Sequence, residues 1–160
     1  MDYGVTEGTY DANDNIIKVY TPTDLTDPEV KTEYTFQLVH EFVHAVIQQI
    51  NPVVGQIKWL DEGTAYYAAL QLDAALKEGP PPIHFPTKEQ LETPEYFDDF
   101  GGSAYFYSGM IVKYLVDTYG IATFNEMIRD PLQLERILET TTDQLYEDWR
   151  ASTESSISSQ

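Results

Sequence analysis

The sequence predicts an α+β fold that is mostly α-helical: a small N-terminal β-hairpin packed on a long helix, followed by a helical C-terminal subdomain. Three observations predict it. Two short β-type runs, Thr9-Tyr10 and residues 16–20, flank the turn Asp11-Ala12-Asn13-Asp14-Asn15. Apolar residues then recur at helical spacing. Pro, Gly and capping residues divide the rest into helix-length pieces. At 160 residues the chain has the size of one domain able to bury a core. Residues 1–150 are assigned to it, with 1–50 as an upper part and 51–150 as a helical lower part. Residues 151–160 hold five Ser and read as a frayed tail or linker.

Each element has its own signals. The hairpin occupies residues 3–20, and a Thr/Asp/Pro loop follows it. Asp27 offers an N-cap, Pro28 suits the first helical position, and Glu29 complements the helix dipole. The resulting helix spans 28–50, where Val39, Phe42, Val43, Val46 and Ile50 keep a helical period and Asn51-Pro52 ends it. A loop through Gly55 leads to Trp59-Leu60-Asp61 and a second helix over 62–77, stopped by Gly79 and three prolines. Residues 80–102, rich in Pro and aromatics, carry no clear element. A third helix spans 103–119, with Gly120 beyond its end. Thr123-x-x-Glu126 and Thr141-x-x-Gln144 have the form of capping boxes for two more helices, with a short helix over 132–138 between them.

Composition narrows the function. Hydrophobic residues at 42%, with 12 Tyr and 7 Phe, mark a folded globule. The 27 Asp+Glu against 9 Lys+Arg, a formal charge of −18, argue against nucleic acid, whose phosphates need a basic footprint, and against anionic membrane surfaces. No apolar run approaches the roughly 20 residues of a membrane helix, so no membrane insertion by this segment is expected. The densest acids, Glu89, Glu92, Glu95, Asp98 and Asp99, read as a solvated face. The absence of Cys removes thiol catalysis, thiolate ligands and disulfides, and leaves any metal to His, Asp and Glu. The N-terminus has no basic and apolar signal-peptide regions. Freedom from Cys and an acidic surface nevertheless lean toward an extracellular or cell-surface-attached location.

The chemistry is concentrated in His40-Glu41-Phe42-Val43-His44. Residues four apart on a helix point the same way, so His40 and His44 can grip one metal ion from one face. Glu41 lies about 100° around the helix. It cannot easily join the two imidazoles as a ligand, but it can serve as the base for a water at the metal. Glu62, 18 residues after His44 within Trp59-Leu60-Asp61-Glu62-Gly63-Thr64-Ala65, supplies a third ligand. Two His and one carboxylate leave one position of a tetrahedral Zn²⁺ open, as catalysis requires. His84, the only other His, reads as a surface or packing residue.

These motifs resemble the gluzincin metallopeptidases, most closely the small peptidase-MA-like domains of that clan. Trp-Leu-Asp-Glu-Gly-Thr-Ala is similar to their Trp-Leu-x-Glu-Gly-x-Ala. The likeness continues through Tyr105-Phe106-Tyr107-Ser108-Gly109, Val112-Lys113-Tyr114-Leu115 and Tyr119-Gly120, and into the run from Thr142 to Arg150. It covers about residues 8–150 and is most specific over 40–67. The resemblance implies a zincin-like core with one Zn²⁺ on His40, His44 and Glu62, Glu41 as general base, and Tyr105 as donor to the oxyanion. Two departures bear on the activity. The position four after Glu62, an Asp in the thermolysin branch, is Tyr66, which leaves the residues that orient the His ligands unassigned. The Gly-x-Met-x-Asn element of the aminopeptidase branch is absent, which favours an endopeptidase.

The expected activity is hydrolysis of a peptide or protein substrate by a zinc endopeptidase, with basic or neutral peptides favoured by the acid excess. The strand over 15–20 precedes the active-site helix. As a sheet edge it would hold an extended substrate, with Ile17 and Val19 as binding residues. A second reading stays open: a catalytically silent or latent gluzincin scaffold that keeps its metal and uses the cleft to bind a partner. The short upstream sheet suits a minimal catalytic core or a fragment of a longer protein.

Overall fold

The structure is a computed structural model that describes residues 8–79 and 85–157. It is mostly helical, with one two-stranded antiparallel sheet, β1 (Gly8–Asp11) and β2 (Ile16–Val19). The register pairs Gly8 with Val19 and Tyr10 with Ile17. Asp11 shapes the turn by accepting from the backbone N–H groups of Asn13 and Asp14, and Asn15 takes the left-handed conformation that Asn tolerates. Gln49 donates to the Asn15 side chain at 2.9 Å, tying the turn to the long helix. A lone hairpin is marginal in water, and here it is packed on that helix.

Helix α1 (Pro28–Ile50) starts and stops where the sequence places it. The Asp27 carboxylate caps the backbone N–H groups of Glu29 and Val30. Four of the five apolar positions that set its period face outward, while Val43 is half-buried against the core. Phe42, Val46 and Ile50 are exposed, and the buried residues of α1 are His40, Glu41, His44, Ala45 and Ile47.

The second helix differs from the expectation of one helix over 62–77. A 3₁₀ turn (Pro52–Gln56) runs into α2 (Lys58–Ala68), which begins one turn early and carries the fully buried Leu60. Leu70 then adopts φ 62°, which ends α2 and starts α3 (Gln71–Glu78) in a new direction. The break turns out to serve the site. The stretch without a clear sequence assignment contains α4 (Lys88–Glu92), opened by a true capping box between Thr87 and Gln90, and the first part of α5 (Pro94–Arg129).

Gly101 and Gly120 have non-helical φ/ψ and divide α5 into segments 94–100, 102–119 and 121–129. The middle segment matches the expected third helix. The Thr123 box does not start a helix, because the chain is already helical from residue 121. Next come a 3₁₀ turn (Pro131–Gln133), α6 (Leu134–Leu138) and α7 (Thr142–Ile157). Thr141 caps Gln144 at 3.1 Å, but the Gln144 side chain bonds Asp148, so only half of that box forms. The expected Ser-rich tail is helical as far as residue 157, and its Thr153 is buried.

α2 packs chiefly on α5. Gly63 permits the close approach, since a Cβ there would collide with the Ser108 carbonyl. The core fills the space between α2 and α5–α7, with Leu60, Leu72, Phe106, Val112, Leu115, Met127 and Trp149 at its centre. No helix among the described residues is long and apolar enough to cross a membrane.

Candidate metal centre

α1 presents His40 and His44 one turn apart, and the crossing of α2 brings Glu62 onto both. Nε2 of His40 and Nε2 of His44 are 3.1 Å apart. Oε2 of Glu62 lies 3.3 Å from the first and 3.2 Å from the second. All three residues are buried, and together they form a group that could hold a metal ion. The spacing fits one. Vertices of a tetrahedron with metal–ligand bonds of about 2.0–2.1 Å are separated by about 3.3 Å.

The donor chemistry fits as well. Nδ1–H of His40 donates to Oε1 of Gln71 at 2.7 Å, and Nδ1–H of His44 donates to Oδ1 of Asp61 at 2.8 Å. With Nδ1 carrying the proton in each ring, the Nε2 lone pairs face each other and the Glu62 carboxylate. Three buried acceptor atoms this close require a cation or shared protons between them. The titration of His44 reflects the same crowding. Burial lowers its pKa, but hydrogen bonds to Asp61 and Glu62 outweigh burial and push it up to about 10. For Glu62, burial raises the pKa, and the two imidazoles outweigh it, holding the carboxyl well below its usual range.

Supporting side chains fix each member. Asp61 also accepts from Nε2 of Gln48 at 3.1 Å, so one carboxylate braces two residues of α1. Oε1 of Glu62 accepts from Nζ of Lys58 at 3.2 Å. Oε1 of Glu41 accepts from Nε2 of Gln37 at 2.6 Å. β1 closes over that pair: a Cβ at Gly8 would lie 2.6 Å from the Gln37 amide and 2.7 Å from the Glu41 carboxylate, so a larger residue there would displace those two side chains. Burial raises the pKa of Glu41, with Glu62 adding to it while the two histidines and Gln37 oppose. Tyr105 stands edge-on to His40, with ring centroids 6.0 Å apart, and stacks on Tyr66 at 6.2 Å. Burial, then the charges of Glu62 and Glu41, push the Tyr105 phenol far above its ordinary range, so it remains a hydrogen-bond donor.

These residues line one cleft of about 710 Å³, walled by Phe97, Tyr66 and Tyr105 and roofed by Gly8, Thr9 and Tyr10 of β1. The structure therefore gathers His40, Glu41, His44, Glu62 and Tyr105. It does not bring Ile17 and Val19 there. They sit half-buried on β2, one strand removed, paired with Tyr10 and Gly8. The roofing strand is β1, because the hairpin packs with that strand over Gln37 and Glu41. His84 lies outside the described residues.

Sequence reasoning missed Asp61, Gln71, Gln37 and Lys58. Asp61 was within reach, as the polar neighbour preceding the expected ligand Glu62. Gln71 was not, because its approach depends on the left-handed break at Leu70. Comparison of the chain with protein-family models, with curated proteins and with solved structures found no match.

Proposed function

We propose that this protein is a zinc-dependent peptidase of the gluzincin type, acting as an endopeptidase. The observation that carries the reading is the convergence of two imidazole nitrogens and one carboxylate oxygen at 3.1–3.3 Å, with a buried carboxylate, Glu41, beside them. A zinc ion held by His40, His44 and Glu62 would supply Lewis acidity, polarising a carbonyl and making water a stronger acid. Two His and one carboxylate also suit iron in oxygenases. Glu41 favours hydrolysis, which needs a base that takes a proton and returns it to the leaving amine. Its raised pKa suits that exchange. Gln37 holds one Glu41 oxygen and leaves the other to act. Tyr105 would donate to the developing oxyanion of the substrate, a contact whose loss typically costs on the order of 10²–10³ in rate. An extended peptide would lie under β1, whose Gly8, Thr9 and Tyr10 face the cleft.

The test is Glu41→Gln, read by zinc content and by cleavage of a mixed peptide library. The expected result is unchanged zinc with cleavage reduced by about 10²–10⁴-fold. Zinc retained with no cleavage by either form would assign the cleft to binding instead of hydrolysis.

A further inference from the structure

The two oxygens of Glu62 are held differently. Oε2 faces Nε2 of His40 and Nε2 of His44. Oε1 is taken by the ammonium of Lys58 at 3.2 Å. Lys58 is the first residue of α2 and stands one turn before Glu62, so the helix that delivers the carboxylate also delivers its partner. We propose that Lys58 is a positioning residue that reserves one oxygen of Glu62, so that the carboxylate offers a single atom, Oε2, to a metal ion shared with His40 and His44. The inference rests on the metal-site reading above and deepens it.

An ordinary i, i+4 pair on a helix joins two mobile, solvated side chains, and its effect is small. This pair differs in three respects. The Glu62 side chain is only 11% exposed, and that of Lys58 is 31% exposed. Lys58 lines the cleft rather than the outer surface. The second oxygen of the same carboxylate is fixed by two buried imidazoles. A free carboxylate can close on a cation through both oxygens. A charge-assisted hydrogen bond on one of them opposes that, and a position stays open for solvent or substrate, as a catalytic site needs. The ammonium also offsets the Glu62 charge, leaving a bound cation less neutralised and more strongly acidic toward water.

The experiment uses the whole chain loaded with Co²⁺, whose visible absorption reports coordination number. It compares the parent with Lys58→Met, which keeps the length and loses the donor, and Lys58→Arg, which keeps a donor. All three are expected to bind one Co²⁺. The Met variant should show the weaker spectrum of a higher coordination number and, with zinc, a kcat lower by about 10–100-fold at nearly constant KM. The Arg variant should return toward the parent in both. An unchanged cobalt spectrum in Lys58→Met overturns the inference whatever the rate. If that variant fails to fold by circular dichroism, Lys58→Leu is read in the same way. A parent chain that binds no Co²⁺ or Zn²⁺ removes the metal-site reading itself, a result distinct from the failure of Lys58 alone.

Discussion

The two faces of α1 reverse the usual sorting of side chains. Its inner face buries His40, Glu41 and His44, while its outer face leaves Phe42 59% and Ile50 53% exposed. Rotating the helix to bury those apolar side chains would gain about 1.5–3 kcal/mol for each one fully covered. Burying unpartnered polar groups costs free energy. The observed orientation is tenable because each inward polar group has a partner on another element or on its own helix: Gln71 for His40, Asp61 for His44, Gln37 for Glu41. α7 behaves in the ordinary way, with Trp149 1% exposed and its acids turned to solvent. The contrast teaches that α1 is oriented by its polar cluster, and that most of the apolar core is supplied by α2 and α5–α7, with Ile47 as the buried isoleucine of α1.

The largest expected effect tests the two faces with one substitution. Ile47 is buried on the inner side of α1, and Ile50 lies three residues on but outside. Ile47→Ala should cost about 2–5 kcal/mol in urea unfolding, and Ile50→Ala should stay within about 0.5 kcal/mol. Equal costs would mean that the outer face is covered in solution and would break the comparison.

Next in size is the brace of the inner face. Asp61→Ala removes the acceptor that fixes the His44 ring, and zinc affinity by calorimetry should fall about 10–100-fold while circular dichroism stays unchanged. Unaltered affinity would show that His44 needs no orienting partner.

The third test is a dependence on pH. In the metal-free protein the pKa of His44 stands at about 10 against an ordinary 6.5. A group raised on folding contributes stability that is complete below its unfolded value and is lost as pH rises through its folded value. Glu62 is depressed, so its contribution is complete above the ordinary 4.5 and lost as pH falls. The Tm of metal-free protein should therefore decline from about pH 6.5 toward 10. Zinc must displace the His44 proton, so its affinity should rise over the same range and the gap in Tm between loaded and metal-free protein should widen. A gap that narrows with rising pH would contradict the arrangement of donors around His44.

Much of this was legible in the residues, for local reasons. The Asp27-Pro28 start and Asn51-Pro52 stop of α1 are short-range signals, and α1 obeyed them. His40, His44 and Glu41 were readable because helical geometry alone fixes their relation. The convergence of Glu62 on them was expected from its motif, and the structure places it there. What was not legible depends on tertiary packing. The left-handed Leu70 carries no sequence signal, yet without it Gln71 would not reach His40. The exposure of Phe42 and Val46 was hidden because periodicity reports an apolar stripe, not what covers it. Ile17 and Val19 were placed at the cleft from their position in the chain, whereas the packing of the hairpin put β1 there. The Thr123 box was ignored because Gly120 only kinks the chain, and helix resumes before Thr123 is reached.

The central claim is most directly tested by zinc stoichiometry. The whole chain and a His44→Ala/Glu62→Ala variant would each be dialysed against trace zinc and counted by elemental analysis. The account predicts one zinc ion per parent chain and none in the variant. A parent chain that emerges without zinc, or a variant that retains it, would contradict the account.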